Sequence, residues 1–403
     1  MDIDQIIATL RRSKMGAILL ALQIALTLAI VCNSLSIIQQ RLARSQRITG
    51  IDEANIFVLD NQWVGENSDL RARIHADLAA LRAIPGVVDA VAVQSYPLRG
   101  GESGWVLLRP EQKQPSTWTG YYMVDSHGLN TFGARLVEGR WFSADEIGSM
   151  EVGKPDAPQI AVVTRNLANT LFPNGDALGK QIYYVKFPMR IVGIVDPLQA
   201  SIAPLSWGEK FVENSILAPM QLINDKLAFV VRTQPGQLQT VMRAAPAALF
   251  AISRARVVDN VHPFAEVRAQ AYHEARALSV IFGIVSALLL TVTALGIIGL
   301  TSYWVSQRRR QIGVRRALGA SRVDILRYFH TENLLIAGTG AVLGIGAGLA
   351  INLWLADIMQ LVPLSIGFLA LGAVIVFVLS QAAVVWPALR AASVPPASAA
   401  RGG

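Results

Sequence analysis

Residues 15–38 run for 24 positions without a charged side chain, and three more long uncharged apolar runs lie near the other end, at about 277–304, 334–356 and 366–389. A bilayer core takes about 20 apolar residues to cross. Inside it every backbone N–H and C=O must be paired within the segment, which leaves the helix as the form for isolated spans. Four transmembrane helices are therefore expected, with residues 39–276 between the first and second. A cleaved leader is the competing reading of residues 15–38. The run is long for one, no small-x-small cleavage site follows it, and the bulky Val31 precedes Cys32 where a lipoprotein signal carries a small residue. The span is expected to stay.

Charge sets the orientation. The loop between the second and third spans carries Arg308, Arg309, Arg310, Arg315, Arg316, Arg322 and Arg327, whereas residues 357–365 carry no lysine or arginine. By the positive-inside rule the arginine-rich loop and both termini are cytoplasmic, and the large segment lies outside. Arg41, Arg44 and Arg47 run against this, but long domains translocate largely regardless of charge. The net charge of +8 is thus a topology signal rather than a nucleic-acid footprint. Only 16% of residues are charged, against about 25% in soluble domains.

One cysteine allows no intrachain disulfide, and the five histidines show no metal-ligand spacing. No catalytic triad, paired carboxylate or metal site stands out. Gly175–Lys180 looks like a phosphate loop, but has three residues between its glycines where the motif has four, and Gln181 where it has Ser or Thr.

The expected fold is an α+β membrane protein. Residues 1–14 read as a cytoplasmic interfacial helix, with Ile3, Ile6, Ile7 and Leu10 at helical spacing. Transmembrane helix 1 covers 15–38, and an extracytoplasmic domain covers 39–276. Helices 2, 3 and 4 cover 277–304, 334–356 and 366–389, with a cytoplasmic loop at 305–333 and a tail at 390–403. Within the outer domain, strand-like and helix-like stretches alternate as strand–helix–strand twice, at about 50–99 and 228–268. A mainly β insertion at about 100–227 separates the two units.

Two small-residue stripes mark the spans: Ala17, Ala21, Ala25 and Ala29 in the first, Gly340, Gly344 and Gly348 in the third. Such faces let helices approach closely in lipid, either within one chain or between two copies. In the cytoplasmic loop, Ile312, Val314, Ala317 and Leu318 stand among arginines, enough for a short amphipathic helix that Gly319 would end. Its apolar face needs a lipid surface or a partner protein.

Residues 312–336 and the glycine-rich third span resemble the C-terminal membrane unit of MacB/FtsX-type ABC transporter permeases. Residues 129–146, 160–184 and 189–195 are similar to successive blocks of the MacB-like periplasmic core domain, the apparent phosphate loop included, and 385–401 to the family's ending. The resemblance implies a dimer, homomeric or heteromeric, in the bacterial inner membrane with the large domain periplasmic. It further implies that the chain is no enzyme and binds no cofactor. With no fused ATPase domain, ATP would be bound by a separate cytoplasmic ABC ATPase. That subunit would touch the loop helix at Ile312, Gly313, Arg315, Arg316, Ala317, Leu318, Gly319 and Ala320. Glu332 matches an acidic residue of the family and would either face that interface or pair with a loop arginine. Efflux with a periplasmic adaptor and an outer-membrane exit protein, by mechanotransmission rather than through a channel, is the leading expectation. Lipoprotein release is the alternative within the class, regulation of cell-wall hydrolases a third, and a non-transport scaffold or sensor the reading outside it.

Overall fold

A computed structural model describes residues 14–65, 69–151, 157–201, 211–359 and 364–393, side chains of 355–359 excepted. The expected helix at 1–14 lies outside the described residues, save Lys14. The chain divides into two compact units, Gln46–Glu274 and the two chain ends on either side of it.

The outer unit is built on a four-stranded antiparallel sheet. Its strands are β1 (Ile56–Trp63), β2 (Val87–Val93), β11 (Lys226–Thr233) and β12 (Arg256–Pro263), in the order β12-β1-β11-β2. Helix α2 (Leu70–Arg82) links β1 to β2, and α5 (Leu238–Ile252) links β11 to β12. Each pair of linked strands runs parallel with the other pair's strand between or beside it, which is the split β–α–β arrangement. Successive strand residues point to opposite faces, and here both faces are covered. Phe57, Leu59, Ala90, Ala92, Phe229 and Val231 pack under α2 and α5. Ile56, Val58, Val91, Val93, Ala228 and Val230 pack on the other side against the insertion. That is why Ile56–Leu59, Ala90–Val93 and Leu227–Val231 read as continuous apolar runs rather than alternating ones, while β12 at the sheet edge is more exposed.

The insertion leaves the sheet after β2 and returns at β11. Strands β3 (Ser103–Leu107), β4 (Thr117–Val124), β7 (Ile160–Thr164), β8 (Gln181–Tyr184), β9 (Phe187–Val195) and β10 (Ser215–Ile223) pair in the order β4-β3-β8-β9-β7-β10. Strand β10 then pairs back onto β4, closing a barrel. Between β4 and β7 the chain forms helix α3 (Gly128–Phe132), β5 (Leu136–Gly139), which adds to β9, and β6 (Gly148–Glu151), which adds to β10. Helix α4 (Arg165–Leu171) packs Leu167, Ala168 and Leu171 into the barrel core. Closure removes the sheet edges that an open sheet would expose.

The second unit holds the spans: α1 (Lys14–Ser45), α7 (His273–Gln307), α9 (Arg322–Met359) and α10 (Ile366–Ala392). Helix α6 (Phe264–Ala271) precedes α7, and α8 (Arg309–Ala317) follows it. The spans outrun their apolar runs, because helical hydrogen bonding continues past the hydrocarbon limit wherever the sequence permits. Helix α9 begins at Arg322, so residues 322–333 extend the third span rather than forming loop.

The two small-residue stripes face each other. A Cβ built on Gly340 would meet the Ala21 carbonyl oxygen at 2.8 Å, one on Gly344 the Ala25 carbonyl oxygen at 2.8 Å, and one on Gly348 the Ala29 Cα at 3.5 Å. Ala21, Ala25 and Ala29 are buried, and Ala17 packs against the same core at its edge. Close approach brings polar groups together as well. Asn33 Nδ2 donates to the Gly348 carbonyl at 3.0 Å, and Asn352 Nδ2 donates to Asn33 Oδ1 at 3.2 Å. Helix α7 is tied to α1 by the Thr27–Thr293 hydroxyl pair at 2.7 Å and by Gln23 donating to the Val292 carbonyl at 3.1 Å.

Candidate functional site

Between α7 and α9 the chain turns twice in a short space. Arg308 sits between α7 and α8, and the α8 C-terminus ends in a paired turn. The Gly319 amide donates to the Arg316 carbonyl at 3.1 Å and the Ala320 amide to the Arg315 carbonyl at 3.0 Å. Gly319 stands at φ +97°, a conformation that favours glycine and completes this C-terminal cap. Ser321 then starts α9, where Asp324 accepts from the Ser321 amide at 3.0 Å and hydroxyl at 2.6 Å.

The nine residues of α8 show two faces. Ile312 and Gly313 turn inward, with Ile312 joining Ile325 and Phe329 in the unit's core. Val314 is 53% exposed and Leu318 is 83% exposed. These two are four residues apart, and with the exposed Ala317 they make an uncovered apolar strip. Val314 is missing from the set that the family resemblance implies; its spacing from Leu318 is the signal that includes it. Arg315 lies over the Tyr328 ring at 5.2 Å, and Arg316 Nη1 donates to the Ala392 carbonyl at 3.0 Å, joining the helix to the end of α10. Ala320 is half-buried and lines a cavity of about 230 Å³ with Gln311, Ile312, Arg315, Ile325 and Tyr328.

Glu332 is 1% exposed. Both its carboxylate oxygens accept from Arg308 Nη1, at 2.9 and 2.8 Å, and Arg308 also donates to the Tyr328 hydroxyl at 3.3 Å and lies 5.9 Å over the Trp304 ring. Of the two readings of Glu332, this is the pair with a loop arginine: a buried acid must be paired, and Arg308 supplies the pair. Arg308 had the appearance of a plain topology charge; only its approach to the third span shows the second role.

The apparent phosphate loop is a turn in which the amides of both glycines and of the lysine are committed to backbone carbonyls. The Gly175 amide donates to the Phe172 carbonyl at 3.1 Å, the Gly179 amide to the Ile191 carbonyl at 2.8 Å and the Lys180 amide to the Ala177 carbonyl at 3.2 Å. Lys180 Nζ pairs with Asp176 at 3.2 Å. Among the described residues no group of three or more His, Cys, Asp or Glu side chains is placed to hold a metal ion.

Two family profiles match. The MacB-like periplasmic core domain matches residues 17–259, and the FtsX-like permease C-terminal region matches residues 283–396. The chain is similar to the macrolide export ATP-binding/permease protein MacB of Chromobacterium violaceum, with 24% identity over 72% of this chain and 42% of that one. It is also similar to the pyoverdine export ATP-binding/permease protein PvdT of Pseudomonas aeruginosa, 24% identical over 68% of this chain and 40% of the relative. It thus spans less than half the length of these relatives. The uncharacterised ABC transporter permease YvrN of Bacillus subtilis is 22% identical over 77% of both chains. Among solved structures, the periplasmic region of MacB from Actinobacillus actinomycetemcomitans aligns over 53% of this chain and 92% of its own, with 14% identity and a TM-score of 0.33.

Proposed function

The chain belongs to the family of ABC transporter permeases that join a MacB-like periplasmic core domain to an FtsX-like membrane unit, and from that premise we propose that it transmits ATP-driven motion from a cytoplasmic ATPase to its periplasmic domain. It is a multi-pass inner-membrane protein, with the α/β unit on the periplasmic side. The observation that carries the proposal is the uncovered strip of Val314, Ala317 and Leu318 on a helix that Ile312 and Arg316 hold in place. A rigidly seated helix with an apolar outer face is a docking element, since helix-in-groove recognition reads anchors at this spacing.

ATP binding is assigned to a partner subunit: the turn at Gly175–Lys180 lacks the phosphate-loop spacing and commits the amides of Gly175, Gly179 and Lys180 to backbone carbonyls, and YvrN is a relative named as a permease alone. A pair of such permeases, with a periplasmic adaptor and an outer-membrane exit protein, would perform export. MacB and PvdT are named for export of macrolides and pyoverdine, and efflux is the proposed role here.

The test is co-purification in mild detergent from native membranes. Leu318→Asp is the clean probe, because Leu318 touches solvent, whereas Arg316→Glu also breaks the bond to Ala392. An ABC ATPase that copurifies with the wild type and is lost with Leu318→Asp supports the reading. An ATPase retained by the variant removes α8 as the docking element, and none with the wild type under crosslinking removes the transport reading.

A further inference from the structure

Both chain ends of the periplasmic unit meet at one residue, the first at its backbone and the second at its side chain. The segment leaving α1 is threaded against the turn after β9. Gly50 stands at φ +84°, where a Cβ would lie 1.9 Å from the Pro197 carbonyl oxygen, and the Gln199 amide donates to the Thr49 carbonyl at 2.8 Å. On the other side, α6 places Phe264 and Tyr272 in the core between sheet and barrel, both fully buried. Gln199 Nε2 donates to the Tyr272 hydroxyl at 3.1 Å. Arg268 of α6 joins the two ends directly, donating to the Arg47 carbonyl and to Glu53.

Gln199 itself belongs to the barrel. Its carbonyl accepts from the Tyr122 hydroxyl of β4 at 2.5 Å. Its neighbours are bonded there too: the Ala200 amide donates to the Val212 carbonyl at 2.6 Å and the Ser215 hydroxyl to the Leu198 carbonyl at 2.9 Å. Packing does not account for the side chain. It is 1% exposed, and its Oε1 has no hydrogen-bond partner among the described residues, so an apolar side chain of equal size would fill the space without an unpaired acceptor.

Tyr272 stands immediately before α7, and α7 is one unbroken helix from His273 to Gln307, with Arg308 alone between it and α8. We infer that Gln199 is the positioning residue through which a displacement of α7 reaches the barrel. The split β–α–β sheet receives the same displacement separately, because β12 runs directly into α6. The inference rests on the transmission reading proposed above.

The test is hydrogen exchange on the full chain in lipid nanodiscs with its copurified ATPase, compared without nucleotide and with ATP plus vanadate. Two near-isosteric variants are used: Gln199→Met, which removes the amide, and Tyr272→Phe, which removes the hydroxyl. The expected result is an ATP-dependent change in exchange in β8–β9 and in β1–β11 of the wild type. In both variants the change is lost in β8–β9 and kept in β1–β11, with ATP hydrolysis intact. A purely structural role would shift exchange equally in both nucleotide states and leave the ATP-dependent difference in β8–β9, which overturns the inference. A wild type without any ATP-dependent difference overturns the transmission reading as well, whereas a wild-type difference that both variants keep in β8–β9 overturns this inference alone.

Discussion

Glu332, in the third span, holds Arg308 with both carboxylate oxygens, at 2.9 and 2.8 Å from one guanidinium nitrogen, where the carboxylate is 1% exposed. The pair fixes the α8 start to α9. Removing the acid leaves a cation with 13% side-chain exposure and no counter-charge among the described residues. Glu332→Ala should lower the stability of the detergent-solubilised chain by about 3–5 kcal/mol, with Glu332→Asp recovering part of it. Fluorescence-detected size exclusion after a heating series measures this, and an unchanged midpoint for Glu332→Ala would show the pair to be dispensable.

The facing stripes make a position-specific prediction. Alanine at Gly344 pushes a Cβ against the Ala25 carbonyl oxygen at 2.8 Å and Leu28 Cβ at 2.9 Å, and neither can rotate away. Alanine at Gly348 has 3.5 Å to its nearest neighbour. Gly344→Ala should therefore cost about 1–3 kcal/mol through overpacking, while Gly348→Ala stays near wild type, aided by alanine's better helix propensity. Thermal midpoints of the two purified variants decide it. Equal effects would mean that α1 and α9 are not in this register.

In the periplasmic unit, Asp77 and Arg256 form a buried fork, Nη1 to Oδ2 at 2.7 Å and Nη2 to Oδ1 at 2.9 Å, with side chains 0% and 1% exposed. Either partner alone is an uncompensated buried charge, so Asp77→Leu and Arg256→Met singly should each destabilise by about 3–5 kcal/mol. The double substitution should recover most of that loss, because an apolar pair of similar volume needs no desolvation of ions. Urea melts of the four chains, read by intrinsic tryptophan fluorescence, close the cycle. A double variant no better than the singles would refute the argument.

Glu146 supplies a pH test. Arg140 grips its carboxylate with two bonds of 2.7 and 2.6 Å, and the Ser143 amide adds a third at 3.1 Å, which together hold the carboxyl down at about 2. A depressed folded value means that the contact stabilises above the ordinary glutamate value of 4.5 and that this is lost as pH falls toward 2. Carboxyl-carbon NMR of the Gln46–Glu274 unit, which has its own cores, should show Glu146 titrating near 2. Arg140→Gln should return it toward 4.5. Titration near 4.5 in the unsubstituted chain would show that the fork is not kept in solution.

Much of this protein follows from local pattern. Uncharged runs fix the spans, because nothing else satisfies a backbone in hydrocarbon, and arginine placement fixes their direction. The two strand–helix–strand units follow from apolar period and turn residues. The strand order β12-β1-β11-β2 and the closure of β10 onto β4 do not, since pairing partners are separated by long stretches of chain. The same limit holds at the sites. The sequence by itself determined that Ala21, Ala25, Gly340 and Gly344 form small faces, that α8 is amphipathic, and that an acid stands at Glu332. Only tertiary structure decided that the two small faces fill each other, that Ile312 turns inward while Leu318 stays out, and that Arg308 is the partner of Glu332. Small faces, apolar strips and charges are properties of one helix, whereas what each one meets depends on how several helices pack at once.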